Sequence, residues 1–412
     1  MNFKRYILFF YFFLTTASLL NAQTPDKNDS TYIAGKLKEL KPPVLELKDV
    51  EIVQQLQLWD VNTFENAGNT PNQKRNDLYI RRGRLGVRGK LRKDLSFLVV
   101  FAYDGVGRDK NTAGNGNTND PDNHDFYLWD AIWTWSPKPM LNLTAGYFRP
   151  QVGRENISSA FNVISLEKSL PNFQPRTHLI GRNTGRETGL NLGGFHRGTG
   201  WSFNYNIGVF DMTNPAIVGN GSRWFPMLTS RVAFSLGDPE MDKYKLSYVQ
   251  SYYGQRKGIT IAANASCQGE TEVFRQNNFY GVDILANYGR WDFVAEYDWL
   301  YRNSFLPLSD ITQATTDRVY SFKAGYNFIL KSGKIIQATG MYSGQMAYDY
   351  GTKPSINSFT GATDQEVYDA GINYLINKDK LKLNLHYVWG KKKDKTAGTD
   401  FSYLATGFQY TF

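Results

Sequence analysis

The sequence predicts an all-β chain closed into a transmembrane antiparallel barrel of sixteen strands. Three observations predict it: an export signal at the N-terminus, period-two segments from about residue 50 to the end, and connections that alternate between long and short. Composition narrows the field. The 412 residues are 41% hydrophobic and 15% aromatic, too apolar for a disordered chain. Outside the N-terminus no apolar run reaches the roughly 18 residues of a spanning helix. The net charge is +9, part of it from Lys4 and Arg5, and no basic helix is present, so nucleic acid is not an expected partner. One cysteine, Cys267, excludes an intramolecular disulfide. Four scattered histidines (His124, His178, His196, His386) argue against a metal centre, and no cofactor is expected.

Lys4 and Arg5 precede an apolar core at 6–20, which is too short to span a bilayer comfortably and reads as a secretory signal. Cleavage after Ala22 is expected. Residues 23–49 then form a short periplasmic arm, broken at Pro42-Pro43, and 50–412 form the barrel.

The strands follow from alternation. In 201–211, Trp201, Phe203, Tyr205, Ile207 and Val209 oppose Ser202, Asn204, Asn206 and Gly208. In 290–302, Trp291, Phe293, Ala295, Tyr297 and Trp299 oppose Asp292, Glu296 and Asp298; 380–391 repeats the pattern with Leu381, Leu383, Leu385, Tyr387 and Trp389. Similar segments fall near 50–62, 77–91, 95–105, 125–136, 140–149, 186–197, 227–237, 243–254, 277–289, 317–330, 334–345, 364–377 and 400–412. Only 157–170 hints at a helical period.

Their connections alternate. The long 63–76 is followed by the short 92–94, the Gly/Asn-rich loop before 125 by SPKP, 150–185 by RGTG, and 212–226 by GDPEMD. The alternation continues with 255–276 and a Gly289-Arg290 turn, 303–316 and KSGK, 346–363 and NKDK. Large loops at one end and tight turns at the other, with an even strand count, characterise outer-membrane barrels. Residues 258–267 also look like a strand; counting them breaks parity, so they are placed within an outer loop, with eighteen strands as the alternative count. The chain ends in an amphipathic strand with Leu404, Phe408, Tyr410 and Phe412 on one face. This strand must pair with the first, because lipid satisfies no open edge. A terminal Phe resembles the signal read by the bacterial barrel-assembly machinery.

Three stretches resemble the phosphate-selective porin O and P family. YIRRGRLGVRGKL (79–91) is similar to that family's Arg-rich second strand. Residues 126–156 carry a strand pair ending in Gly146, Phe148 and Pro150. Residues 165–194 are similar to the region where the third loop folds into the pore. The resemblance implies a sixteen-stranded, trimeric outer-membrane channel; phosphate as a solute is an inference from the family.

Alternation sets sidedness. Leu85, Val87 and Leu91 face lipid, so Arg82, Arg84, Arg88 and Lys90 face inward as a cationic ladder suited to anions. Asp104, Asp130, Asp283, Asp292, Glu296 and Asp298 also face inward, so the ladder either conducts anions or pairs with the wall. The 150–185 loop is the expected constriction, with Arg149, Arg154, Lys168, Arg176, Arg182 and Arg186 against Glu155, Glu167 and Glu187. Inward Arg231, Lys245, Lys323 and Lys382 could extend the path, and Trp133, Trp135, Trp291, Trp299 and Trp389 are read as interfacial girdles. Asp120, Asp122 and Asp125 depart from a calcium-loop pattern and read as an ordinary polar loop.

These features predict an outer-membrane porin passing small hydrophilic solutes and favouring anions such as phosphate, with lipid, the assembly machinery and two further copies of the chain as partners. A non-selective diffusion porin is the alternative. A β-rich exported binding protein or adhesin, or a barrel enzyme, are alternatives of other classes, although no nucleophile motif accompanies His386.

Overall fold

The structure is a computed structural model describing residues 48–65, 74–109, 112–113, 126–182, 184–219, 226–305, 312–347, 364–392 and 400–412. The export signal, residues 23–47 of the arm, and Asp120, Asp122 and Asp125 lie outside the described residues.

The described residues form sixteen strands and three short helices. The strands are β1 (Lys48–Glu65), β2 (Arg75–Arg92), β3 (Leu95–Val106), β4 (Tyr127–Lys138), β5 (Leu141–Phe148), β6 (Glu187–Arg197), β7 (Trp201–Asp211) and β8 (Met227–Gly237), followed by β9 (Gly258–Gln268), β10 (Phe274–Tyr288), β11 (Trp291–Phe305), β12 (Thr312–Ile329), β13 (Ile335–Met346), β14 (Gln365–Asn377), β15 (Leu381–Lys392) and β16 (Phe401–Thr411). The helices are α1 (Arg154–Ile157), α2 (Leu170–Leu179) and α3 (Pro215–Val218). Every strand pairs antiparallel with its chain neighbours, and β16 closes on β1 with Leu56 opposite Tyr410 and Val61 opposite Ala405. Closure leaves no strand edge facing lipid, which offers no hydrogen bonds. Outward positions carry the apolar side chains: Leu85, Val87, Ile261, Ile284, Phe322 and Leu385 are exposed, as are Trp133, Trp135 and Trp291.

The ninth strand is not where alternation placed it. Residues 243–254 do not belong to the wall; 258–267 do, as β9, with Ile259 and Ile261 toward lipid and Thr260, Ala262 and Asn264 toward the lumen. The count stays at sixteen because one segment replaces the other. The β8–β9 connection is therefore long and lies at the short-turn end of the barrel, while the next outer loop shrinks to 269–273. Residues 238–257 fold into the lumen. Tyr244 Oη donates to Asn206 at 2.6 Å and accepts from Asn191 at 2.8 Å, so this face lies on the inner wall. Gly193 makes room for it, since a Cβ there would sit 2.1 Å from Tyr244 Oη. The opposite face, with Lys243, Lys245 and Ser247, borders open space. An extended segment with one face against a wall alternates like a strand without being in the ladder, which is why its pattern is ambiguous.

The β5–β6 loop, residues 149–186, enters from the other end and crosses to the far wall. Its helices are α1, at 154–157, and α2, at 170–179, rather than 157–170, and 158–169 is turned, bent or irregular. Ala160 and Phe161 carbonyls accept from Gln57 and Gln409, Ile164 O accepts from Asn373, and Leu166 N–H donates to Asp369. His386 does face the lumen, paired to Asp369 at 2.5 Å. α2 returns toward β10–β12. There Phe148, Val152, Leu179 and Ile180 share an apolar core with Phe279, Leu300 and Val319. Each fully buried side chain of this size contributes roughly 1.5–3 kcal/mol.

The two inserted segments meet in mid-lumen. Ser158 and Tyr248 form a parallel bridge, and Gln250 N–H donates to Asn162 O at 3.3 Å. Arg154, fully buried, donates to Glu240 of the β8–β9 segment at 2.5 Å and to Asp283 of β10 at 2.8 Å. Asp283 also takes Arg231, and Glu155 pairs with Lys323 at 2.9 Å. Gly153 (φ 67) allows this tight entry: a Cβ there would lie 2.6 Å from Glu296 Oε1. Removing one partner of a buried ion pair strands the others. Asp283→Asn, which leaves Arg154 and Arg231 without their shared carboxylate, should destabilise the folded barrel by about 3 kcal/mol. A lowered midpoint of heat-induced unfolding, followed by gel mobility, checks this.

Candidate functional site: a cation-lined channel beside one wall

The network that joins Arg154, Glu240 and Glu155 to Arg231, Asp283 and Lys323 forms a clasp in the lumen beside β8, β10 and β12. A cavity of about 960 Å³ remains against β1–β4, faced by the β5–β6 loop and the 243–247 segment. Arg82, Arg84, Arg88 and Lys90 line it from β2; Arg149, Lys168, Arg176 and Arg186 line it from the loop. Lys243 and Lys245 border it from the inserted segment, against Asp49, Glu51, Asp104 and Asp130. The lining is strongly cationic.

The β2 ladder is paired. Arg82 donates to Glu167 at 2.5 Å and to Gln57 at 3.0 Å. Arg84 makes a two-pronged contact with Asp104, Arg88 meets Glu51 at 2.5 Å, and Lys90 meets Asp49 at 2.8 Å. Arg88 and Lys90 are exposed, so their pairs are weak.

Two residues break the alternation and were not visible in the pattern. The β1–β2 register slips between Gln57 and Leu58, so Arg81 turns inward beside Arg82, and both grip Glu167. The β3–β4 register slips between Val100 and Phe101, so Trp129 turns inward. Arg84 and Arg186 stack on its ring, with guanidinium carbons 3.8 and 3.5 Å from the centroid. Arg186 is held from behind by Asp130 at 2.9 Å. A β-bulge puts two consecutive residues on one face. The run Arg81-Arg82 was the available signal, since an arginine toward lipid is costly.

The loop cations are placed differently. Arg149 donates to the carbonyls of Asn156 and Ser158, and Lys168 Nζ to Glu155 O at 2.5 Å and Asn172 Oδ1 at 3.1 Å. Among the described residues neither has a carboxylate within 4.0 Å. Burial, then Arg186 and Arg176, push the Arg149 guanidinium well below its ordinary range. Burial, then Arg149 and Arg176, do the same to the Lys168 ammonium. These cations are each other's electrostatic neighbours. Arg154 and Arg182 do not border the cavity: Arg154 is sealed in the clasp, and Arg182 sits at the loop's exit, 2.7 Å from Thr213 and 3.6 Å from Glu187. Of the four cations placed on the path beyond the ladder and loop, Arg231, Lys323 and Lys382 are buried; only Lys245 reaches the cavity, from the inserted segment.

Glu167 ties the loop to β2. Burial alone would raise its carboxyl, but Arg81, then Arg82, outweigh burial and hold it at about 2. A carboxyl lowered in the folded state stabilises fully above its unfolded value, and that contribution is lost as pH falls through the folded value. The tether should therefore hold from neutral pH to about pH 3, leaving open-channel conductance steady. Glu167→Gln should instead raise conductance and its noise already at pH 7. Single-channel recordings across this pH range check both outcomes.

The matches to known proteins agree with this architecture. Residues 50–412 match the family model described as phosphate-selective porin O and P. Among solved structures, an anion-selective porin from Comamonas acidovorans is similar at 12% identity and TM-score 0.59, over 88% of this chain and 99% of that one. OprB of Pseudomonas putida is similar at 10% identity and TM-score 0.56, over 93% and 97%. The channel DcaP of Acinetobacter baumannii is similar at 15% identity and TM-score 0.53, over 88% and 97%. A sequence search of curated proteins gives no match. These structural likenesses carry the fold, and the family match carries the kind of protein. A closed sixteen-strand barrel with an inward third loop and a cation-lined lumen is an outer-membrane channel, and the chain belongs to the phosphate-selective porin O and P family.

Proposed function

We propose that this porin favours small anions, which pass along the β1–β4 wall, and that the β5–β6 loop sets the preference. The observation that carries this is the group Arg149, Lys168, Arg176 and Arg186: four cations around one cavity, of which Arg186 is held by Asp130, while the side chains of Arg149 and Lys168 have no carboxylate within 4.0 Å among the described residues. Crowded positive charge in a narrow space focuses the field and raises the local anion concentration. The Nε of Arg149 and the Nδ2 of Asn172 are buried donors without an acceptor among the described residues. Arg82, Arg84 and Arg88 extend the positive wall.

A non-selective diffusion porin is the second reading. It is favoured by the carboxylate that each of Arg82, Arg84 and Arg88 already faces. Assembly as a homotrimer, with insertion guided by Phe408, Tyr410 and Phe412 on the exposed face of the closing strand, completes the proposal.

Reversal potential in a planar bilayer under a KCl gradient tests it, with phosphate added to one side. The expected result is chloride preference with current reduced by phosphate. Arg149→Gln with Lys168→Met should lower the anion-to-cation permeability ratio at least about threefold; an unchanged ratio would favour the non-selective porin. The pH dependence has a defined sign. Because the Lys168 ammonium is lowered, it loses its proton below the ordinary lysine range, so anion preference should fall as pH rises before reaching 10.5. Lys168→Met should flatten that part of the curve.

A further inference from the structure

We propose that the preferred solutes are organic anions with an apolar body, such as short-chain or aromatic carboxylates, rather than inorganic oxyanions. This rests on the anion preference proposed above and names the class within it.

The lumen of an outer-membrane barrel is ordinarily polar, and apolar side chains go to lipid. Here a row of inward positions departs from that rule beside the cations. Register pairs Arg88 with Leu98 and Leu98 with Ile132, so one rung across β2, β3 and β4 reads arginine, leucine, isoleucine. Gly146 continues the rung in β5 with no side chain. Val100 and Asp130 form the neighbouring rung. All these side chains border the cavity.

Loop anchoring accounts for other inward apolar residues, Phe279, Leu300 and Val319, which are fully covered by the β5–β6 loop. It does not account for Leu98, which is half-buried and borders the cavity. Ile132 and the facing Leu246 extend the Phe148 core to the cavity's edge. Ile157 and Phe173 complete the apolar side from the loop.

The cavity thus has two parts. Arg149, Arg176 and Arg186, with Lys168, form a cationic end, and Leu98, Ile132 and Leu246 form an apolar side. A cavity of about 960 Å³ that sets an apolar side against convergent cations has the size and the two-part chemistry of a site for an organic anion. A hydrated inorganic anion gains nothing from the apolar side and sheds water to pass it. A carboxylate with a hydrocarbon body places its head on the guanidiniums and its body on the leucine–isoleucine surface. Each methylene removed from water there strengthens binding by up to about fourfold.

The test is block of chloride current through single refolded full-length channels at pH 7 by acetate, butyrate, hexanoate, benzoate and inorganic phosphate. The half-blocking concentration should fall at least about tenfold from acetate to hexanoate. Benzoate should lie near hexanoate, and phosphate should block more weakly than either. In Leu98→Asn with Ile132→Asn the hexanoate-to-acetate ratio should collapse to within about twofold. If that variant does not refold, Leu98→Ala should shrink the ratio partway. An anion-selective pore with no dependence on chain length, or with phosphate as the strongest blocker, leaves the anion preference standing and overturns this inference. A cation-selective pore overturns both.

Discussion

Arg154 is the contact on which the interior depends. It is fully buried, and it joins the loop from one end of the barrel to the segment from the other through Glu240, and both to the wall through Asp283. An isolated charge could not survive such burial, and two carboxylates, with the Tyr248 ring 6.0 Å away, make it tolerable. Because Asp283 also serves Arg231, and Glu155 beside it serves Lys323, the clasp is one network and not a set of separate pairs. Its consequence is asymmetry: the network crosses the lumen beside β8, β10 and β12, and a cavity remains against β1–β4.

The open side owes its character to what the clasp consumes. Asp283 on β10 and Glu240 on the inserted segment are spent neutralising Arg154 and Arg231, while Asp292 on β11 holds the β8–β9 segment through Ser251 at 2.6 Å. The acids that line the cavity, Asp49, Glu51, Asp104 and Asp130, pair with Lys90, Arg88, Arg84 and Arg186, so the side chains of Arg149 and the buried Lys168 have no carboxylate within 4.0 Å among the described residues. A positive channel thus follows from the division of counter-charges between the halves of the lumen. Trp129 adds rigidity, since two guanidiniums stacked on one ring are fixed in plane.

Much of this was legible in order. Alternation set the lipid face, as in Leu85 and Val87 against Arg84 and Arg88, because lipid excludes charge at every outward position and this constraint acts on each strand alone. Closure by the strand ending in Phe412 followed from the same requirement. Arg81 and Trp129 were hidden from strict alternation, because a bulge puts two consecutive residues on one face and where it falls depends on the partner strand's register. Residues 243–254 were misplaced because one-sided burial produces period two whether the covering surface is lipid, a ladder or the inner wall.

The sequence by itself determined the class and the sidedness of most strands, since each follows from local patterning against one solvent. It did not separate Arg154 from Arg149, which stand five residues apart with the same side chain. Only the tertiary structure decided that Arg154 is neutralised by Glu240 and Asp283 and that Arg149 is left to the cavity. The physical reason is that a charge's role depends on where its counter-charges stand, and here they come from segments 86 and 129 residues away in the chain.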